Sequence, residues 1–492
     1  MTIYPTSSAA DCAYILADAG ARAIVCEDPR QLAKLGAPPE HVILIEGEAE
    51  GAVSLDDLRA RGRDHLSRQP RAVEEARGLV RPDDVLTYIY TSGTTGVPKG
   101  CILTQRNYAA LVGMVDQIQG LVSEGDVMLL FLPLAHTFAR TCQFVATTKG
   151  TIAYCPDVAA LPAALRAVRP TVLPGAPRLF ERVHAAVVAG FEREHGAKRL
   201  LVDWALGVGR RASRCRREGR RYPPGLALQH GLADRLVFSK IKARLGGRLK
   251  HAISGGAALG AEVAEFFHTL DVLILEGYGL TECSVVSVNR PDRYRFGTVG
   301  PPLPGVDARV AADGELLVRG ENVFPGYRGH GEATREALTE DGWLRTGDVV
   351  EVDEDGFITI TDRKKDIIVL AGGKNVAPQK IENALKASPY VSHALVVGDG
   401  RPFVTALITV DHERAKDAGE IAQALVERAV ADANRGLGKE EQVRRFLVLE
   451  RDFSEEEGEL TPTLKVKRRV CEERYRDEIE RLYAGTPQNA GA

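Results

Sequence analysis

Short runs of β-branched residues alternate with amphipathic helical stretches and glycine-rich turns through most of residues 1–360. This alternation is the pattern of parallel α/β architecture, in which helices cover the faces of a sheet. The clearest unit is a predicted strand at 249–253, a helix at 263–270 and a strand at 272–275. Because parallel strands end at the same edge of a sheet, we expect a ligand site in the loops at that edge.

An apolar stripe and a basic run precede this unit. The stripe places apolar residues at helical spacing, at Leu228, Leu232, Leu236, Val237, Ile241 and Leu245. It predicts a helix that packs on the sheet and ends at Gly246 and Gly247. The basic run, residues 210–221, contains seven arginines. A solvated helix end is its ordinary interpretation, and contact with anionic lipid or a nucleotide phosphate is the alternative.

The length of 492 residues exceeds that of one usual domain, and the pattern changes near residue 364. Beyond it, a smaller alternation of strands and helices begins. Its predicted strand, helix and hairpin lie at residues 367–370, 379–387 and 394–410. We therefore predict a large domain over residues 1–363 and a smaller α+β domain over residues 364–492.

The composition narrows the classes of partner and location. Lys and Arg (64) nearly balance Asp and Glu (67), so we expect no nucleic-acid partner. The eight cysteines lie far apart, without a C-x-x-C pair or zinc-ligand spacing, and are predicted to be free thiols. No apolar run approaches the roughly 20 residues that span a bilayer, and the N-terminus lacks a signal-peptide layout. The expected location is the cytoplasm.

A loop rich in hydroxyl groups and glycine follows a predicted apolar strand at residues 85–90. It consists of Thr91, Ser92, Gly93, Thr94, Thr95, Gly96, Val97, Pro98, Lys99 and Gly100. Glycine lets a backbone approach an anion, while hydroxyls, amides and the ammonium group supply donors, so polyphosphate is the natural ligand. The G-x-x-x-x-G-K-[ST] spacing of a Walker A loop is absent around Lys99, which disfavours a motor or kinase P-loop. An ordinary glycine-rich turn is the alternative.

This loop resembles the phosphate-binding signature of the adenylate-forming superfamily, which includes acyl-CoA synthetases, luciferase-like enzymes and peptide-synthetase adenylation domains. Seven more elements of that family follow in order, at residues 132–136, 254–257, 276–282, 346–348, 362–366, 372–375 and 461–465. The resemblance implies an α/β fold with a large N-terminal domain of packed α/β subdomains and a small β-barrel-like part. A smaller, mobile α+β C-terminal domain would follow.

The resemblance also implies a reaction. ATP, with Mg²⁺, would convert a fatty acid to an acyl adenylate, and coenzyme A would then accept the acyl group. The last element carries Thr463-Leu464-Lys465, which resembles the long-chain fatty-acyl branch. Two alternatives are a ligase that loads a carrier-protein thiol and a truncated, non-catalytic nucleotide-binding protein. The second arises because the segment that the family carries ahead of Tyr4 is not present. Homodimer formation and peripheral contact with the inner membrane face are also open.

The family assigns roles to individual residues of this chain. The implied nucleotide-binding and cofactor-binding set is Thr91, Ser92, Gly93, Thr94, Thr95, Gly96, Lys99, Gly255, Gly256, Ala257, Tyr278, Gly279, Thr281, Asp348, Arg363 and Lys374. Tyr278 would stack on adenine. Asp348 would accept both ribose hydroxyls, with Arg363 as a cation beside ribose and phosphate. A packed core tyrosine and an ordinary salt bridge are the alternatives.

The implied catalytic residues are Lys465, Thr281, Glu282 and Arg363. Lys465 would bridge the carboxylate and the α-phosphate as negative charge develops. Glu282, with Thr91, would hold Mg²⁺, and a helix cap is the alternative role for Glu282. His136 would line the acyl pocket, or else be an ordinary core histidine. Lys365 occupies the hinge position of the family.

Overall fold

The computed structural model describes residues 1–91, 98–418, 421–461 and 465–484. The middle of the predicted phosphate loop lies outside these residues, with the predictions for Ser92, Gly93, Thr94, Thr95 and Gly96. Thr91, Lys99 and Lys465 are described.

A small parallel sheet and an antiparallel hairpin form the N-terminal part. The elements up to the hairpin are α1 (Ala9–Ala19), β1 (Ala23–Cys26), α2 (Pro29–Ala33), β2 (His41–Leu44), β3 (Val53–Ser54), α3 (Leu55–Arg68) and α4 (Ala72–Leu79). Strands β1, β2 and β3 pair in parallel in that order. The hairpin consists of β4 (Val85–Thr91) and β5 (Lys99–Thr104), which confirms the strand predicted at 85–90.

A six-stranded sheet forms the centre of the large domain. Its strands and helices are α5 (Gln105–Asp116), β6 (Val127–Leu130), α6 (Thr137–Lys149), β7 (Thr151–Tyr154), α7 (Leu161–Val168), β8 (Val172–Gly175), α8 (Pro177–Glu192), α9 (Gly196–Arg217), α10 (Pro224–Ala233), α11 (Ser239–Arg244), β9 (His251–Ser254), α12 (Ala261–Thr269), β10 (Leu273–Tyr278) and β11 (Ser287–Val288). The strand order is β11-β10-β9-β8-β6-β7, and only β11 runs antiparallel. The predicted strand–helix–strand unit is confirmed as β9, α12 and β10.

The prediction that the apolar stripe packs on the sheet is wrong for the first half of the stripe. Leu228 is 79% exposed and Leu232 is 50% exposed, whereas Leu226 and Ala233 are buried. This helix is apolar on two faces, so spacing alone could not identify the face that packs. A π-helical turn at Asp234–Phe238 joins α10 to α11.

An antiparallel sheet of four strands follows, where the resemblance implied a barrel-like part. Its elements are β12 (Asp307–Val310), β13 (Glu315–Arg319), α13 (Gly331–Ala337), β14 (Leu344–Val352) and β15 (Ile358–Arg363). The strands pair in chain order. The register of β14 and β15 sets Asp348 directly opposite Arg363. These two predicted site residues are therefore neighbours by strand pairing.

The C-terminal part is a separate α+β unit. Its elements are β16 (Ile368–Val369), β17 (Asn375–Val376), α14 (Pro378–Lys386), β18 (Val391–Val397), β19 (Thr405–Val410), α15 (His412–Ala418), α16 (Ala422–Arg435), β20 (Arg445–Val448), α17 (Arg468–Arg474) and α18 (Arg476–Tyr483). Strands β18 and β19 form the predicted hairpin, and β20 pairs in parallel with β19.

Buried apolar residues form different clusters on the two sides of residue 364. The largest cluster of the large domain contains residues from Ile89 to Ile358, and the C-terminal clusters begin at Ile368. Separate cores are what two folding units require. All eight cysteines are free thiols, as predicted. Among the described residues, no helix combines the length and apolar character needed to cross a membrane.

Candidate active site

Two glycines shape the loop that follows β9. A side chain on Gly255 would place its Cβ 3.2 Å from the ring of Phe138, and Gly256 has a φ of +90°. Glu276, near the end of β10, accepts a hydrogen bond from the Leu259 backbone N–H at 3.0 Å. Burial raises the pKa of Glu276 to about 7. The loop therefore presents a supported backbone surface beside β10, with no side chain on its two glycines.

The buried carboxylate of Asp348 contacts two other predicted site residues, Tyr278 and Arg363. The Tyr278 hydroxyl donates to Asp348 Oδ2 at 2.5 Å, and Arg363 Nε lies 3.1 Å from Asp348 Oδ1. Asp348 is 2% exposed and Tyr278 is 8% exposed. Burial raises the pKa of Asp348, while the charge of Arg363 opposes this shift. Asp348 thus presents an acceptor at the carboxyl end of β10, held by two donors.

The C-terminal domain contributes Lys465 to the group around Asp348. We call the space beside Asp348, Arg363, His136 and Lys465 the cleft. Burial, followed by the charge of Arg363, lowers the pKa of Lys465 to about 8, and Asp348 opposes this shift. Lys465 is exposed to solvent, and its charge lies close enough to those of Arg363 and Asp348 for both to influence its pKa. Burial and the charge of Lys465 lower the pKa of His136 to about 4. The structure therefore brings Lys465, Arg363, Asp348 and His136 together from both domains.

His136 begins helix α6 and is neutral at physiological pH. Its Nδ1 accepts a hydrogen bond from the Phe138 backbone N–H at 3.2 Å. A ring nitrogen used as a helix cap is not free to take a proton from a substrate. Phe138 also packs on Gly255, and the charge of Lys465 reaches His136, so both the glycine loop and Lys465 are near the start of α6.

A second group surrounds Glu282. The Tyr327 hydroxyl donates to Glu282 Oε1 at 2.6 Å, and the Lys99 ammonium lies 5.5 Å from the centre of the Tyr327 ring. Burial, and then the charge of Glu282, raises the pKa of Tyr327. Thr91 pairs with Lys99 across the β4–β5 hairpin. The edge of the predicted phosphate loop therefore adjoins Glu282.

The turn between Tyr278 and Glu282 requires glycine. A Cβ on Gly279 would lie 1.8 Å from the backbone oxygen of Ser284. No side chain larger than hydrogen fits at that distance. Thr281 lies in this turn, at half-buried depth. The turn therefore fixes the positions of Thr281 and Glu282 relative to Tyr278.

Two predicted residues lie apart from these groups. Lys374 is exposed in the turn between β16 and β17, and Lys365 is exposed after β15. Within the described part of the chain, no hydrogen bond or ion pair joins either lysine side chain to Asp348 or Glu282.

Sequence reasoning missed a contact between the two domains. Arg178, at the start of α8, donates to the Ser392 backbone oxygen at 3.3 Å and to its Oγ at 3.1 Å. Arg178 Nη1 lies 2.7 Å from His393 Nε2, and His393 Nδ1 lies 2.6 Å from Asp452 Oδ1. Burial lowers the pKa of His393. No motif contains these residues, and their sequence separation hides the contact.

Tyr327 was also missed, because its chemistry depends on a partner 45 residues away. Phe138 was missed for the same reason, since its ring reaches Gly255 from another element. The only sequence signal for Phe138 was its position two residues after His136.

Two family models match the chain. One, described as AMP-binding enzyme, matches residues 1–328, and one described as AMP-binding enzyme C-terminal domain matches residues 365–487. The chain therefore belongs to the AMP-binding enzyme family, whose members are the adenylate-forming enzymes. The long-chain-fatty-acid–CoA ligase FadD15 of Mycobacterium bovis is 41% identical over 98% of this chain and 83% of that protein. The human long-chain-fatty-acid–CoA ligase ACSBG2 is 30% identical over 98% of this chain and 80% of that protein.

Solved structures share the fold. The adenylation domain of a carboxylate reductase from Mycobacterium chelonae has a TM-score of 0.72 at 24% identity, covering 98% of this chain and 76% of that one. The adenylation domain of the carboxylic acid reductase from Segniliparus rugosus, solved with AMP and a co-purified carboxylic acid, has a TM-score of 0.69 at 23% identity. That match covers 98% of this chain and 78% of the other. The large domain and the smaller C-terminal domain thus match those of adenylate-forming enzymes.

Proposed function

We propose that this enzyme is a long-chain fatty acid–CoA ligase. The observation that carries the proposal is Lys465 of the C-terminal domain beside Asp348 and Arg363 of the large domain. Relatives at 41% and 30% identity that bear the name long-chain-fatty-acid–CoA ligase support the choice of acid and acceptor. The fatty carboxylate attacks the α-phosphorus of ATP, and pyrophosphate leaves. The coenzyme A thiolate then attacks the carbonyl carbon of the acyl adenylate, and AMP leaves.

The nucleotide would lie along the carboxyl edge of the central sheet. Tyr278 and the loop of Gly255, Gly256 and Ala257 would hold adenine between an aromatic ring and peptide faces. Asp348 would accept the ribose hydroxyls, a role supported by its buried position and its two donors. Thr91, Lys99 and residues 92–96 would bind the pyrophosphate end.

The proposed chemistry depends mainly on electrostatic stabilisation of the transition state. Lys465 would lie between the acid carboxylate and the α-phosphate, where it stabilises the negative charge of the transition state. Arg363 and Thr281 would bind the α-phosphate oxygens from the other side. His136, neutral and half-buried, would line the path of the acid rather than take a proton.

The residues around Glu282 fit a magnesium ion that arrives with ATP. Mg²⁺ takes oxygen ligands and keeps water and phosphate oxygens in its coordination sphere. Glu282 uses Oε1 to accept from Tyr327, which leaves Oε2 for a cation. In the described ranges, no cluster of three or more His, Cys, Asp or Glu could hold a metal alone. We propose Glu282 and Thr91 as the protein ligands, and the bound ion would neutralise phosphate charge.

The pH dependence of adenylation follows from the Lys465 pKa. The ammonium form is the functional form, so we expect kcat/KM for adenylation to fall as pH rises through about 8. Above that value the protonated fraction falls about tenfold per pH unit. The measurement is acid-dependent ATP–pyrophosphate exchange from pH 6 to 10. The Lys465→Arg variant, which stays charged, should lose the alkaline limb, and an unchanged limb in that variant would exclude Lys465 as its source.

We propose that the domain boundary lies between Arg363 and Lys364 and that Lys365 is the hinge. The separate hydrophobic clusters on its two sides support this boundary. Lys374 is exposed, so a rotation of the C-terminal domain would be able to bring it to bound coenzyme A. One hinge would let a single site carry out both half-reactions.

Arg178 is predicted to stabilise the domain orientation in which Lys465 lies in the cleft. Hydrogen bonds to charged groups contribute about 1.5 to 3 kcal/mol, so Arg178→Ala should lower adenylation at least tenfold. Thioester formation from supplied acyl adenylate should be unchanged, because that step does not need Lys465. Arg182→Ala, an exposed arginine on the same helix, is the control. Equal loss of both half-reactions would contradict the prediction.

The acceptor of the acyl group can be tested directly. Acid-dependent ATP–pyrophosphate exchange without coenzyme A reports adenylation, and AMP release after coenzyme A is added reports transfer. We expect both. Exchange without coenzyme A-dependent AMP release would favour loading of a carrier-protein thiol, and nucleotide binding without exchange would favour a non-catalytic protein. We also propose a cytoplasmic location, supported by eight free cysteines, and a place in fatty acid metabolism.

A further inference from the structure

Helices α9 and α10 and the π-helical turn that follows them expose four leucines. Leu228, Leu232 and Leu236 are 79%, 50% and 36% exposed, and Leu200 of α9 is 71% exposed. The opposite face of α10 is buried, through Leu226 and Ala233. The three leucines of α10 and the π-helical turn, spaced by four residues, therefore form an outward apolar row.

The same part of the chain carries a dense positive charge. Residues 196–250 contain 15 Lys and Arg but only 3 Asp and Glu, a net charge of +12 in a chain whose net charge is −3. Some of these cations have acidic partners, among them Arg217 with Glu265 and Lys250 with Asp126. Within the described ranges, no ion pair involves the exposed cations Arg211, Arg214, Arg235, Lys240 and Arg244.

The leucines and the arginines lie side by side. Arg211 Nη2 of α9 donates to Gln229 Oε1 of α10 at 2.7 Å. Gln229 directly follows Leu228 and precedes Leu232 by three residues, so Arg211 reaches the edge of the leucine row. Arg235 lies between Leu232 and Leu236 in the chain and is exposed, as they are. Arg214 is exposed on α9, three residues after Arg211 and therefore on the same face. We call Leu228, Leu232 and Leu236, together with Arg211, Arg214 and Arg235, the α9–α10 surface.

The combination of exposed leucines and exposed cations favours one kind of binding partner over others. A nucleic acid would use the cations but leave the leucines in water. A second copy of this chain would bring two strongly positive faces together, and like charges disfavour that contact. An anionic lipid bilayer offers phosphates for the arginines and an acyl boundary for the leucines.

We propose that the α9–α10 surface binds the anionic surface of a lipid bilayer. The inference goes beyond the proposed reaction, because it names where the enzyme would meet the phase that holds long-chain acids. Lipid binding is measured without acid, ATP or coenzyme A, so this proposal and the proposed function can fail separately.

Vesicle sedimentation tests the proposal. The full chain should bind vesicles of equal parts phosphatidylglycerol and phosphatidylcholine, bind pure phosphatidylcholine weakly, and release as salt is raised. The triple variant Arg211→Gln, Arg214→Gln and Arg235→Gln should bind at least tenfold more weakly, since each cation near such a surface contributes about fivefold. Leu228→Gln, Leu232→Gln and Leu236→Gln together should also weaken binding at least tenfold.

The control carries Arg61→Gln and Leu79→Gln, two exposed positions in α3 and α4, and should bind like the original chain. Thermal unfolding checks that each variant is folded. Equal binding by all variants, or equal binding to both vesicle types, would overturn the proposal. So would a loss that follows the arginines alone with tight binding to single-stranded RNA, or a dimer that the leucine variants dissociate while vesicle binding is absent.

Discussion

Lys465→Ala is expected to lower kcat/KM for acyl-adenylate formation by about 10² to 10³, the usual loss when one preorganised donor to a transition-state oxyanion is removed. The reason is the position of the ammonium group, beside Arg363 and Asp348 in the cleft. Thioester formation from supplied acyl adenylate should persist, because the anhydride is already made. The measurements are acid-dependent ATP–pyrophosphate exchange and, separately, coenzyme A-dependent consumption of acyl adenylate.

Arg469→Ala is the matched control, since it removes a nearby cation that is exposed and pairs with Glu473 at the surface. Both half-reactions should be unchanged in that variant. Equal losses of the two half-reactions in Lys465→Ala would mean that the residue supports the fold rather than the first step.

Asp348→Asn is expected to raise the KM for ATP at least about 100-fold, because charged hydrogen bonds to two hydroxyls contribute about 1.5 to 3 kcal/mol each. Asparagine keeps the shape of the side chain but loses the negative charge. It also leaves the Arg363 guanidinium beside a neutral group and changes the partner of the Tyr278 hydroxyl. Initial rates at varied ATP, with saturating acid and coenzyme A, give the KM.

Tyr278→Phe separates the two contacts of the carboxylate. It removes the hydroxyl that donates to Asp348 while keeping the aromatic ring for adenine, so a smaller rise in KM is expected. Asp355→Asn, in an exposed ion pair with Arg295, is the control. A KM in Asp348→Asn close to that of the control would exclude ribose binding by Asp348.

The layout of the site was predictable where a motif coincides with a strand end. The β9–α12–β10 unit fixes the loops at one sheet edge, and strand register sets Asp348 opposite Arg363. The first feature follows from a local pattern, whereas the pairing of Asp348 with Arg363 was not predicted and is known from the structure. The roles assigned to the individual residues remain predictions.

Other features depend on contacts that no local pattern contains. The leucine row of α10 was predicted to pack inward, because a helix with two apolar faces has no periodicity that distinguishes them. The hydrogen bond of Tyr327 to Glu282 and the contact of Arg178 with Ser392 and His393 join distant parts of the chain. Only the three-dimensional structure could reveal them.

The most direct test is coenzyme A-dependent AMP release across a ladder of saturated fatty acids, with mass detection of the thioester. We expect equal amounts of AMP and acyl-CoA. We also expect kcat/KM to rise about fourfold per methylene while the acyl chain is being buried, since each methylene contributes about 0.8 kcal/mol. AMP without thioester, or a flat profile from short to long acids, would contradict a long-chain fatty acid–CoA ligase.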